Sequence, residues 1–263
     1  ETETWRKWAP VIVGLPRDTE AKQSPELRAI LVDALERAPD EFISAIRTII
    51  RIEREDQRKD GAQEIGSPFF ILTNLDGCWH NAALRNAFSE ELRDPDNRPA
   101  EYAALLDALL RAGVESALDD ALERIGRSAA PMDRRHIAII DVLLRRAPAR
   151  SWLTITAAMQ ADDAFARQVI TRIAQHFEFG TPFYRDFNEQ DIATFFRLVT
   201  RLYPPSEDQP RQTGFMGTWD SISYLRDGLP RHLAGLGTEV AVNQLNQLIA
   251  EYPPLTNLAY ELT

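Results

Sequence analysis

Residues 24–39 read Ser24-Pro25-Glu26-Leu27-Arg28-Ala29-Ile30-Leu31-Val32-Asp33-Ala34-Leu35-Glu36-Arg37-Ala38-Pro39. Leu27, Ile30, Leu31, Ala34 and Leu35 return every three or four residues, which lines them up on one face of an α-helix. Ser24-Pro25-Glu26 is a start signal, with a hydroxyl to cap the first amides and a proline that loses nothing in a first turn. Pro39 is a stop, because its ring cannot continue the helix that arrives through Arg37. The stretch therefore predicts one short amphipathic helix, punctuated at both ends.

The same grammar repeats outward along the chain. Stripes form at Phe42, Ile46, Ile49 and Ile50, then at Leu105, Leu106, Leu109 and Leu110, then at Ile137, Ile140, Leu143 and Leu144. Further stripes follow at Trp152, Ile155 and Met159; at Phe165, Val169 and Ile173; and at Ile192, Phe195, Phe196 and Val199. The last two are Ile222, Leu225 and Leu229, and Leu245, Leu248 and Ile249. Alternation with a period of two is nowhere sustained, so essentially no sheet is expected. Pro39, Gly113, Pro148 and Pro204 each follow a helix ending in Arg or Tyr, with short connections between helices of about 12–16 residues. The expected fold is all-α: a solenoid-like stack of antiparallel helix pairs of HEAT, armadillo or TPR type. A Leu-Arg-Ala-like step recurs with Arg-Ala at 37, 111 and 146. A structural repeat produces such spacing, and so does an Ala/Arg-rich composition. The stack divides into halves at 1–150 and 151–263, continuous or forming a single domain.

Three stretches interrupt the stripes. Residues Gln57–Ser67 and Pro204–Thr218 read as surface loops. His176–Asn188 carries Phe177, Phe179, Phe183, Tyr184 and Phe187. These rings either dock onto the stack or form a sticky patch, with Phe179, Phe183, Tyr184 and Phe187 its candidates.

Composition narrows the function classes. Hydrophobic residues are 44% of the 263 and charged residues 27%, which suits a packed core. No apolar run approaches the roughly 20 residues that span a bilayer, so no membrane segment is expected. The net charge of −10, with lysine only at Lys7, Lys22 and Lys59, points away from nucleic acid, whose phosphates need a segregated basic face. Arginine and alanine usage suggests a GC-rich bacterium. One cysteine, Cys78, forms no internal disulfide and suits a reducing, cytoplasmic compartment. The chain opens at Glu1 without Met or signal peptide, and reads as an excised piece.

Catalytic grammar is missing. There is no Gly-Lys for a phosphate-binding loop, no glycine fingerprint after a strand and no Gly-x-Ser-x-Gly elbow. His80, His136, His176 and His232 are scattered, and Cys78 with His80 makes only half a zinc site. Glu115, Asp119, Asp120 and Glu123 read as a solvated helix face, as does Glu53-Arg54-Glu55-Asp56. No cofactor and no metal are expected.

The last third is more specific. Leu202-Tyr203-Pro204-Pro205 runs into Ser206-Glu207-Asp208, and Trp219 and Ile222 precede Leu225-Arg226-Asp227-Gly228-Leu229. His232-Leu233 and Leu236-Gly237-Thr238-Glu239 then open a final helix through Leu245 and Leu248 to Tyr252-Pro253. Glu207 or Asp208 is placed to neutralise Arg226 across the loop, and a bidentate pair would pin the loop to the helix hairpin. Thr238 is the expected N-cap after a stop at Gly237.

This arrangement resembles the helical repeat region of bacterial NACHT-type STAND NTPases and related defence proteins, over roughly Ser151–Leu262. The resemblance implies a scaffold, sensor or autoinhibitory arm beside a P-loop ATPase core. It implies framework roles for Tyr203, Pro204, Asp208, Arg226, Asp227, Gly237 and Thr238, which, with Glu207, build the turn or present it to a partner. It transfers no catalytic residue. The leading expectation is thus a non-catalytic module that binds a protein partner or another domain of its parent. Two alternatives stay open: an all-α enzyme using buried carboxylates or His232, and a homotypic assembly module.

Overall fold

A computed structural model describes residues 2–14, 25–59, 69, 71–72, 75, 77–127, 133–176, 183–208 and 217–255. Among these there are twelve α-helices and no strand. They are α1 (Thr2–Gly14), α2 (Pro25–Arg37), α3 (Pro39–Lys59), α4 (Ala82–Leu92), α5 (Pro99–Arg111) and α6 (Glu115–Gly126). Then come α7 (Arg134–Arg146), α8 (Pro148–Ala161), α9 (Asp163–His176), α10 (Glu189–Leu202), α11 (Thr218–Leu236) and α12 (Glu239–Glu251). The all-α expectation holds. α3 runs through Lys59, so residues 57–59 of the expected loop are helical; residues 60–67 lie outside the described residues, as does Ser24.

The punctuation works as local chemistry dictates. α2 ends at Arg37 and α3 begins at Pro39, with Ala38 alone between them. Proline disfavours the helical region for the residue before it, so the axis breaks there. Even so, Ala38 N–H donates to the Ala34 carbonyl at 3.0 Å, and Phe42 N–H to the Ala38 carbonyl at 3.0 Å. The identical Arg-Ala-Pro triplet at 146–148 separates α7 from α8, with Ala147 at φ −146°. Where the third residue is Gly113 the device changes. Gly113 sits at φ +71°. Val114 N–H reaches the Leu109 carbonyl at 3.0 Å and Gly113 N–H the Leu110 carbonyl at 3.1 Å. That pair of bonds closes a helix through a left-handed glycine.

The chain forms two compact units. The first is Glu1–Ala121 with Arg134–Val142; the second is Leu122–Asp133 with Leu143–Thr263. In the first, α1 packs on α2 and α3, α2 on α3, and α4 on α5. Its core takes Leu31, Leu35, Phe42, Ile46 and Ile50 from the expected stripes. Ile30 is the exception at 44% exposed. In the second unit each helix meets the next one or two along the chain: α8 on α9, α9 on α10 and α11, α10 on α11 and α12, and α11 on α12. Trp152, 1% exposed, is its hub. Its ring lies 4.4 Å from Phe187 and meets Phe195 edge-on at 4.9 Å.

Candidate functional site

The expected turn is assembled from three helices of the second unit. α10 ends at Leu202, and Tyr203 leaves the helix at φ −135°. Pro204 is extended, and Pro205–Glu207 form a short 3-10 turn that delivers Asp208. The Tyr203 ring faces α9. Its hydroxyl donates to the Arg167 carbonyl at 3.2 Å and shares a 3.2 Å contact with the Thr171 hydroxyl. Arg167 stacks over the ring at 4.9 Å, and Trp219 of α11 meets it edge-on at 5.3 Å.

From the other side, α11 projects Arg226, whose residue is only 4% exposed. Its Nη1 donates to the Tyr203 carbonyl at 3.0 Å and to Asp208 Oδ1 at 3.0 Å, while its Nη2 donates to Asp208 Oδ2. A guanidinium buried this deeply has to find acceptors, and the planar fork matches a carboxylate. The Arg226 hydrogen bonds hold the Asp208 carboxyl below its ordinary value, against the opposing effect of burial. Of the two acids offered for Arg226, Asp208 takes the pair. Glu207 and Asp227 are exposed, and Asp227 reaches only Arg226 Nε, at 3.6 Å. Arg226 is spent on acceptors and Asp208 on Arg226, so the cluster fastens the turn between α9 and α11.

Other ion pairs fasten neighbouring helices in the same way. Arg201 of α10 grips Asp163 of α9 at 2.8 and 2.9 Å. Arg197 of α10 grips Glu251 of α12 at 2.7 and 2.8 Å. Gly237 adopts φ +63° after α11, and Thr238 Oγ1 accepts from Ala241 N–H at 3.0 Å. The Thr238 hydroxyl also donates to Glu189 of α10 at 2.7 Å, which holds that carboxyl below its ordinary value.

Two rings of the aromatic connection are docked. Tyr184 and Phe187 are 8% and 6% exposed, so these two dock rather than stick out. Phe179 and the side chain of Phe183 lie outside the described residues. Burial raises the Tyr184 phenol above its ordinary value.

In the first unit the run at Glu53–Asp56 is not wholly a solvated face. Arg54 turns inward, its side chain 13% exposed. It donates to Asp94 at 3.1 Å and to Asn97 Oδ1 at 2.8 Å, and lies 3.5 Å from Glu101. Glu101 is fully buried; it accepts from Arg98 N–H at 2.9 Å and from Arg98 Nε at 2.8 Å. Asn97 Nδ2 donates to the Glu91 carbonyl at 2.7 Å, and Arg135 donates to the Pro95 carbonyl at 3.1 Å and to the Asn97 carbonyl. Pro99 at the first helical position with Glu101 two residues on was the one sequence signal for this network.

Beside it an open groove of about 510 Å³ runs along α3. Ser44, Arg47, Thr48, Arg51 and Arg54 line one wall and Glu91 the other. Arg47 already spans Glu90 at 2.6 Å and Glu91 at 3.5 Å, whereas Arg51 points outward at the groove rim. No group of three or more His, Cys, Asp or Glu is disposed to hold a metal ion among the described residues. No helix among them is long and apolar enough to cross a membrane. No protein-family model matches the chain, and neither a curated protein nor a solved structure is significantly similar to it.

Proposed function

We propose that the chain is a non-catalytic helical-repeat module, a HEAT/armadillo-like solenoid from a prokaryotic defence or signalling protein of NACHT/STAND kind. It works in the cytoplasm and binds a protein partner or another domain of its parent. The observation that carries this reading is the staple pattern of the second unit. Arg201–Asp163, Arg197–Glu251 and Glu189–Thr238 each tie one helix to another, or to its cap, one or two places along the chain, and Arg226–Asp208 ties the turn after α10 to α11. Charge used this way builds a scaffold, because each helix rests on its sequence neighbours as in stacked repeats. The α3 groove supplies a surface, with the Ser44 and Thr48 hydroxyls and the exposed Arg51 able to meet a carboxylate-bearing segment of a partner.

Two measurements test the proposal. A solenoid scatters X-rays with a radius of gyration well above the about 18 Å of a compact domain of this length. Co-purification with proteins encoded beside the parent gene is expected to recover a partner with the wild type and lose it with Arg51→Glu. A compact radius would overturn the solenoid. Equal recovery by both proteins would overturn the groove as the docking surface.

A further inference from the structure

We propose that His232 is an acid-released latch: neutral, it holds the segment 183–187 against α11, and protonated, it lets that segment go. The contact is close. The Tyr184 and His232 rings meet edge-on with centroids 5.2 Å apart. The Tyr184 hydroxyl would lie 3.2 Å from a Cβ at position 228, so Gly228 gives the docked tyrosine a close seat on the helix. The latched segment carries Phe187 onto Trp152, the hub of this unit's core.

The docked imidazole turns its Nε2 edge to a place ill suited to charge. Its Nε2 is buried and finds no hydrogen-bond partner among the described residues. In the cation both ring nitrogens are N–H donors, and a donor at the buried Nε2 needs an acceptor. The positions one turn away on α11 are Gly228, Leu229, Gly235 and Leu236, none of them acidic. From the docked turn comes Arg185, whose positive charge opposes a second cation, together with the neutral Tyr184. On the helices packed on α11, Asp163 of α9 is paired with Arg201, Glu189 of α10 with Thr238, Asp191 of α10 with Asn188 and Glu251 of α12 with Arg197, while Glu239 of α12 is exposed. Burial first and Arg185 second hold His232 below the ordinary histidine value. The unfolded or released imidazole binds its proton more readily than the latched one. The docked state therefore keeps its full advantage above the ordinary value near pH 6.5 and loses it as the pH falls from there through the latched value.

The test is an NMR titration of the imidazole-labelled chain from about pH 8 to about pH 5, bracketing the ordinary histidine range near 6.5. The same samples are read for exchange protection of the Phe187 amide, which donates to the Tyr184 carbonyl at 3.1 Å. The expected result is a His232 titration below the ordinary value, with Phe187 protection, corrected for intrinsic exchange, lost in step with it. His232→Gln, neutral throughout, is expected to keep that protection at the acid end. A His232 titration at or above the ordinary value, or equal loss of protection in wild type and variant, overturns the latch. If His232→Gln fails to fold, the wild-type titration alone decides, because both signals come from one molecule.

Discussion

Arg226→Met and Asp208→Asn, made singly and together, isolate the pair that ties the Tyr203 turn to α11. Methionine keeps an apolar stem in the buried slot and deletes every donor. The Tyr203 carbonyl then loses its 3.0 Å partner, and Asp208 loses both arms of the fork. An orphaned buried acceptor costs about 1–3 kcal/mol, and a hydrogen bond to a charged group contributes about 1.5–3 kcal/mol. The Asp208 side chain is 31% exposed, so water recovers part of its charge. The sum for Arg226→Met therefore settles at about 3 kcal/mol. Asp208→Asn leaves one acceptor in place and costs less, about 1 kcal/mol. The double variant loses the pair only once, which leaves a coupling energy of about 1 kcal/mol. Urea unfolding reads it through tryptophan emission, since Trp219 lies against Tyr203. Coupling below about 0.5 kcal/mol, the level at which distant sites simply add, would refute the claim that the two side chains act as one fastening.

Asp208 also sets a pH dependence. Its carboxyl titrates lower in the folded chain than when free, so the pair's stabilisation is present above about pH 4 and drains away as the pH falls through the folded value. Acid unfolding of Asp208→Asn is expected to show a shallower slope than the wild type, the remainder coming from other lowered carboxyls such as Glu189, Asp163 and Glu251. Trp152→Ala empties the space between Phe187 and Phe195 and is expected to cost about 3–5 kcal/mol by urea unfolding. Two glycines near the end of α11 are expected to respond oppositely in thermal melts. Gly235→Ala, in a helix with no atom within 4 Å of the added methyl, raises stability by about 0.5–1 kcal/mol. Gly237→Ala, at φ +63°, lowers it by about 1 kcal/mol.

The parts legible beforehand were those governed by near neighbours. The Gly237-Thr238 boundary could be read because a left-handed stop and a hydroxyl cap act within four residues. Arg226 and its loop acid could be read because few acids lie in the connecting loop, although choosing Asp208 over Glu207 needed the 3-10 turn. The Arg54 network was missed for the opposite reason. Its acceptors Asp94 and Asn97 lie 40 and 43 residues away, and alternating charges at a helix end look solvated in one dimension. The aromatic connection was legible only as a choice between docking and display. Which ring goes inward depends on the slot beside Trp152, formed by helices on either side of the connection. The candidate solenoid rests on the order of helix contacts in the second unit, and that order is invisible in any single stripe.

The lone residue between α2 and α3 has a consequence for assembly. Ala38 N–H closes the last turn of α2 and its carbonyl opens the first turn of α3. The ring of Pro39, together with the packing of α2 on α1 and α3, keeps residues 25–59 from becoming one rod roughly 50 Å long. A proline inside a helix costs about 3 kcal/mol, so Pro39→Ala removes that penalty from the straightened form. Straightening would carry α2 away from the faces of α1 and α3 that it now covers. Those faces would be refilled most readily by the α2 of another molecule, an exchange of identical arms. A concentration-dependent dimer of Pro39→Ala, seen by light scattering beside a monomeric wild type, would show that one pyrrolidine ring separates a self-contained chain from an interlocked one.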